Sequence, residues 1–216
     1  MRKIFLISGL GADTRLYNNI DLQDSEVIPV DWIDPHEIDT LATYAQKLIY
    51  QYNITPGSIV IGTSLGGIIA IEIAKQISLN KVILISSIKT IDETPGYFSL
   101  FRAAPVYKLI PGKLIQQLGL FIKPIFGKFN ENGAWLFEDM LKKSSPIFIK
   151  WAMKAVLAWD NRIIPPNVYH IIGDKDLIFS YKKIKDAIIV KGGTHIMVYD
   201  RAKQINKVLK SILKKK

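Results

Sequence analysis

The stretch Ile59-Val60-Ile61-Gly62-Thr63-Ser64-Leu65-Gly66, followed by Ile68-Ile69-Ala70-Ile71-Glu72-Ile73-Ala74, decides the fold of this chain. Residues 58–62 form a β-branched apolar run of strand length, and Pro56-Gly57 marks a turn before it. Residues 65–77 space their apolar side chains as a buried helix does. Between the two lies Gly62-Thr63-Ser64-Leu65-Gly66, a Gly-x-Ser-x-Gly pattern. A serine lifted off a strand end on a strained turn needs neighbours without side chains, so that strand and helix can approach closely while its hydroxyl stays exposed. The pattern therefore reads as a nucleophile elbow with Ser64 as the nucleophile. Five residues alone carry little weight, because a glycine-rich strand-to-helix turn can also serve packing or hold a phosphate. Walker-type phosphate loops need a Lys before the final Ser or Thr, and none is present here.

Further apolar runs of strand length occur at residues 3–8, 26–30, 81–86, 168–173 and 187–190, with helical patterns between most of them. Residues 40–52 place Leu41, Tyr44, Ala45, Leu48 and Ile49 on one face, with Asp39 or Thr40 as the N-cap. Such alternation predicts an α/β protein with about six mostly parallel strands and helices on both faces. In these sheets functional groups gather at the carboxyl ends of the strands, where Ser64 stands. The aromatic-rich stretch between Ser86 and Asn167 shows no strand-like alternation and is broken by Pro95, Pro105, Pro111, Pro124 and Pro146. It predicts several short helices inserted before the penultimate strand. Residues 88–155 are thus expected to form a helical cap over the carboxyl edge of a core made of residues 1–87 and 156–216. Its aromatics, among them Tyr97, Phe101, Tyr107, Phe126, Trp135 and Trp151, would line an apolar pocket or simply hold the cap together.

Composition narrows the classes further. Hydrophobic residues make up 49% of the 216, which argues for a packed core. No apolar run approaches the roughly 20 residues that span a bilayer. Met1-Arg2-Lys3 followed by Ile4-Phe5-Leu6-Ile7 is too short for a signal peptide and reads better as a first strand. The absence of cysteine excludes disulfides, thiolate metal sites and cysteine nucleophiles, and fits a cytoplasmic address. The net charge of +10 concentrates in residues 201–216 and in a block from 102 to 154. Such charge suits nucleic acid in principle. The tail lysines, however, alternate with Ile205, Val208, Leu209 and Ile212 at helical spacing, which describes an amphipathic helix with its lysines in water. Nucleic acid is therefore not the expected partner, whereas an anionic partner for the basic surface is still open.

A serine hydroxyl is a poor nucleophile until a base takes its proton, and the base needs an orienting carboxylate. Of the three histidines, His36 follows Asp34-Pro35 in an early loop, and His170 sits within Val168-Tyr169-His170-Ile171-Ile172, where a half-buried strand position is expected. His195 follows Val190-Lys191-Gly192-Gly193-Thr194, a strand end entering a glycine turn, so its imidazole belongs at the same edge as Ser64. The carboxylate should lie past a strand end between the two in sequence. Gly173-Asp174-Lys175-Asp176 offers Asp176, placed to reach the histidine loop, and Asp174, which can instead close the turn itself. Asp176 is favoured, and Asp92 is an outside candidate. Two oxyanion donors are expected: the backbone N–H of Leu65, after the nucleophile, and that of Leu10 in the turn Ser8-Gly9-Leu10-Gly11. A purely structural turn explains those glycines equally well.

Taken together, the turn after the first strand, the Gly-x-Ser-x-Gly elbow, the helical insertion, the Gly-x-x-Asp at 173–176, the Gly-Gly-x-His at 192–195 and the final helix resemble the α/β-hydrolase superfamily over nearly the whole chain. The resemblance implies a Ser64, His195, Asp176 triad, a covalent acyl-enzyme, and no cofactor or metal. Serine in the nucleophile position separates the chain from the dehalogenases and epoxide hydrolases of the superfamily, which use aspartate there. Many members carry His-Gly where this chain has Ser8-Gly9, a change that leaves the backbone donor intact. The link from Asp176 to Ala187 is short for a parallel crossover, so its helix is expected to shrink to about one turn. The expected activity is hydrolysis of a small or medium-sized acyl ester by a carboxylic-ester serine hydrolase. The nearest alternative is an esterase or thioesterase for acyl groups on an acidic carrier protein, prompted by the basic, aromatic cap. An alternative of another class is a receptor-like ligand-binding protein that retains the fold.

Overall fold

A computed structural model describes residues 2–22, 24–105, 109–127 and 129–215. Met1 and Tyr107, named above, lie outside the described residues, as does Lys216 at the end of the basic tail. Strands β1 (Arg2–Ile7), β2 (Ser25–Val30), β3 (Ile59–Thr63), β4 (Lys81–Ile85), β5 (Val168–Gly173) and β6 (Ala187–Val190) form one sheet in the order β2-β1-β3-β4-β5-β6. Every pairing is parallel. Helices α1 (Leu41–Gln51) and α2 (Leu65–Ala74) follow β2 and β3. Five more, α3 (Gly96–Ala103), α4 (Gly112–Phe121), α5 (Lys123–Phe126), α6 (Glu131–Lys143) and α7 (Pro146–Ala158), lie between β4 and β5. Helices α8 (Met197–Asp200) and α9 (Ala202–Lys214) follow β6.

Strands β3 and β4 are buried at every position, as expected for a parallel sheet covered on both sides. Their residues alternate between two cores with period two. Phe5, Ile7, Val60, Val82 and Leu84 join one cluster with α1, α2 and α7, whereas Ile4, Leu6, Ile61, Ile83 and Ile85 join the other with α8 and α9. Helix α2 is apolar all round because almost all of it is buried, leaving its one acid, Glu72, held by Lys75 at 2.9 Å and the Trp159 indole N–H at 2.8 Å. Thr40, not Asp39, caps α1 through a reciprocal pair of bonds with Thr43, while Asp39 accepts from the Thr43 hydroxyl. Helix α9 buries Ile205, Leu209 and Ile212 and leaves Lys203, Lys207 and Lys210 in solvent, as its periodicity predicts. The link between β5 and β6 contains only the single 3-10 turn Tyr181–Lys183, the reduced crossover anticipated above.

In the segment between β4 and β5 the prolines start helices more than they break them. Pro95 and Pro111 stand at the N-caps of α3 and α4, and Pro146 is the first residue of α7, where a missing N–H costs nothing. Helix α7 runs unbroken through residue 155, so the expected segment boundary falls inside it. Its Phe148 stacks on Trp32 with ring centroids 4.7 Å apart, and its Trp151 lies 4.4 Å from Tyr44. These contacts build α7 into the same apolar cluster as α1.

Candidate active site

At the end of β3 the chain turns into α2 through Ser64, whose φ of 54° and ψ of −118° are a strained combination for a residue with a side chain. The flanking glycines make the turn feasible. A Cβ on Gly62 would collide with the Gly66 carbonyl, and one on Gly66 would collide with the carbonyls of Ile7 and Ser8. A Cβ on Gly9 would press on the Ser64 Cβ at 3.2 Å, a milder contact. The turn is also held by hydrogen bonds: the Ser64 N–H donates to Ile85 O at 3.0 Å, and the Ser87 hydroxyl donates to Ser64 O at 2.7 Å. Below it, the Tyr17 hydroxyl donates to Ile7 O at 2.7 Å and lies 2.8 Å from the Thr63 hydroxyl. Burial pushes that phenol well above its ordinary range.

His195 lies 2.9 Å from the Ser64 hydroxyl through Nε2, and its Nδ1 lies 2.9 and 3.1 Å from the two oxygens of Asp176. An ionised carboxylate only accepts, so Nδ1 carries the proton and Nε2 is free to accept from Ser64. Asp176 also accepts from the N–H groups of Ile178 and Phe179, both at 2.9 Å. Burial alone would raise its carboxyl, but the His195 imidazole and these two N–H donors hold it below the usual carboxylate range. Asp174 does something else. It accepts from the Gly192 N–H at 2.6 Å, and the Lys175 N–H donates to Gly193 O at 2.9 Å, so the loop after β5 is tied to the loop that carries His195. Asp92 takes no part in this cluster and pairs with Arg162 at the surface.

The backbone N–H groups of Leu10 and Leu65 donate to no protein acceptor among the described residues, and both leucines line one cavity with Ser64 and His195. Ser8 closes the first turn with its hydroxyl on Ala12 O at 2.8 Å, and the Trp32 indole donates to the same oxygen at 3.1 Å.

No family model matches the sequence, and no curated protein matches it. Solved structures do match. An esterase from Exiguobacterium antarcticum superimposes with a TM-score of 0.74 at 18% identity, covering 100% of this chain and 92% of its own. A hydrolase from Pseudomonas aeruginosa gives 0.75 at 16%, covering 99% and 90%. A bromoperoxidase from Bacillus anthracis gives 0.71 at 16%, covering 99% and 92%. The chain has the α/β-hydrolase fold.

Within this α/β-hydrolase fold, the cavity over Ser64 holds about 230 Å³ and is strongly apolar, lined by Ile68, Phe98, Met153, Leu157 and Phe179 besides the leucines. Phe126 from α5 and Phe179 set their rings 5.5 and 5.6 Å from that of His195. A larger cleft of about 630 Å³ lies between the His36 loop and α7 and contains neither Ser64 nor His195. Ser64 and His195 face the smaller cavity instead. His36 is exposed on the rim of that larger cleft and takes no part in the cluster. Among the described residues no group of three or more His, Cys, Asp or Glu could hold a metal ion.

His170 differs from its expected half-buried position: it is 2% exposed. Its Nε2–H donates to Ser87 O at 3.0 Å, and its Nδ1 accepts from the buried Lys89 ammonium at 3.2 Å. Lys89 in turn pairs with buried Glu93 at 2.6 Å and donates to Lys185 O at 2.8 Å. Burial, together with the charge of Lys89, holds the His170 imidazole down at about 3. A hydrogen-bonded chain therefore runs from an internal ion pair through His170 and Ser87 to the carbonyl of Ser64. Sequence reasoning missed Lys89, Glu93 and Ser87. The available signal was two charges four residues apart shortly after the apolar run at residues 82–85, a place where burial rather than solvent receives them.

Proposed function

We propose that this protein is a serine hydrolase that cleaves a small or medium-sized acyl ester by a Ser64, His195, Asp176 triad. The reading is carried by one observation: a partly exposed serine on a strained turn, 2.9 Å from a histidine nitrogen whose other nitrogen meets a buried carboxylate, at the mouth of an apolar cavity. Ser64 Oγ attacks the carbonyl carbon as its proton passes to His195 Nε2. The N–H groups of Leu65 and Leu10 receive the oxyanion. The carbon–oxygen bond to the alcohol breaks, and His195 returns the proton to the departing oxygen. Water then gives a proton to His195 and attacks the acyl carbon, releasing the acid and restoring the Ser64 hydroxyl. Asp176 orients the imidazole and stabilises its charged form throughout.

The residues between β4 and β5 act as a cap that shields the acyl group, each buried methylene contributing about 0.8 kcal/mol. The esterases among the structural neighbours favour this reading, although the fold alone hosts other chemistries, the bromoperoxidase among them. A series of p-nitrophenyl esters of increasing chain length tests it. Ser64→Ala is expected to lower turnover by about 10³-fold or more with the urea midpoint near wild type; undiminished turnover in that variant overturns the assignment.

A further inference from the structure

Helices α4 and α5 carry an apolar stripe that nothing among the described residues covers. Leu114, Leu118, Phe121, Ile122 and Ile125 recur at helical spacing, and all are exposed, Phe121 at 81%. The opposite side of α4 is well anchored. Gly112 abuts the Pro146 carbonyl, Gly119 abuts the Leu141 side chain, and Gln116 donates to the carbonyls of Leu141, Lys142 and Ser144 at 2.7, 3.1 and 2.8 Å. The outward apolar face is therefore set by fixed packing behind it.

The stripe lies in a basic stretch of the chain. Residues 96–155 hold nine Lys and Arg against three Asp and Glu, with Lys108 and Lys128 of the nine outside the described residues. Lys113 is exposed beside Leu114; Lys142 and Lys143 at the end of α6 are each 65% exposed, with Lys142 3.9 Å from Glu138 and Lys143 2.9 Å from Asp139. A helix ridge is convex, so it offers no pocket to a partner's side chain, but large aliphatic and aromatic groups on it can sink into a soft apolar phase. The ridge also reaches the site: Phe126, one residue past Ile125, sets its ring 5.5 Å from that of His195.

The geometry points to a docking surface for an anionic lipid bilayer on the outer face of α4 and α5. The apolar stripe enters the boundary between headgroups and acyl chains, and Lys113 beside it meets the lipid phosphates. Among the described residues no helix is long and apolar enough to cross a membrane, so the chain lies on the surface by this face. The docking surface does not depend on the reaction proposed above, and its test reads binding alone.

The whole chain is sedimented with vesicles of phosphatidylcholine and with vesicles of equimolar phosphatidylcholine and phosphatidylglycerol. Partition onto the anionic vesicles is expected to exceed that onto the neutral ones by about tenfold or more and to fall with added salt. The double substitution Leu118→Ser, Phe121→Ser is expected to lower that partition by about tenfold with the urea midpoint unchanged, and Lys113→Glu to weaken it further at low salt. A wild-type chain that stays in the supernatant, or a double variant that pellets like wild type, overturns the proposal. So does a dimer in light scattering that the double variant dissolves while vesicles capture nothing, which assigns the face to a second copy. Retention on polyglutamate beads without vesicle binding assigns it to an acidic polypeptide instead.

Discussion

Two aspartates two residues apart illustrate what a single side chain contributes. Asp174 and Asp176 leave the same strand end, yet one ties a loop through the Gly192 N–H and the other faces the imidazole of His195. In Asp176→Asn the amide can present N–H to Nδ1, which selects the wrong tautomer and leaves Nε2 unable to accept from Ser64. Ester turnover is expected to drop about 10⁴-fold. Asp174→Asn keeps an oxygen for the Gly192 N–H, so its transition-state stabilisation should stay within about 0.5 kcal/mol of wild type. Kinetics of the two variants side by side check the assignment; equal losses would refute it. The sequence favoured Asp176 from spacing alone and kept Asp174 open, because spacing counts residues along the chain and not the direction in which a carboxylate leaves the backbone. Ser87 was invisible for the same reason, since its hydroxyl matters only through a carbonyl 23 residues away in sequence.

Among the elements, the crossing of β3 and α2 is the tightest. Gly62 and Gly66 let strand, helix and the end of β1 approach until backbone meets backbone, with no flexible side chain available to yield. Gly66→Ala must push on the carbonyls of Ile7 and Ser8, and is expected to destabilise the protein by about 3 kcal/mol or more, measured by urea unfolding. A wild-type midpoint in that variant would contradict the packing. Strands were legible because apolar runs in a doubly covered sheet need no partner to be recognised. The helices between β4 and β5 were legible only in number and kind. Proline marks a discontinuity in either direction, and whether Pro146 ends one helix or begins the next depends on what α7 packs against.

At the scale of the whole molecule, burying His170 beside Lys89 couples folding to pH. The unfolded histidine takes up a proton near 6.5, whereas the folded one resists until about 3. Between these values the unfolded chain binds one more proton than the folded one. Stability from this group is thus complete above 6.5 and declines by about 1.4 kcal/mol for each pH unit below it, down to about 3. Urea unfolding of wild type and His170→Gln from pH 7 to pH 4 checks this: the stability advantage of wild type should shrink as the pH falls, and a constant difference would rule out the linkage. The α/β alternation, the six strand positions, the turn at Ser64 and the amphipathic last helix are legible in the chain, because each depends on local backbone preference and on the period of apolar residues. Tertiary packing alone settled which aspartate meets His195, that His170 is internal, that α7 packs against α1 and that α4 shows its apolar side to solvent. These depend on distances between residues far apart in the chain, and no local period encodes them.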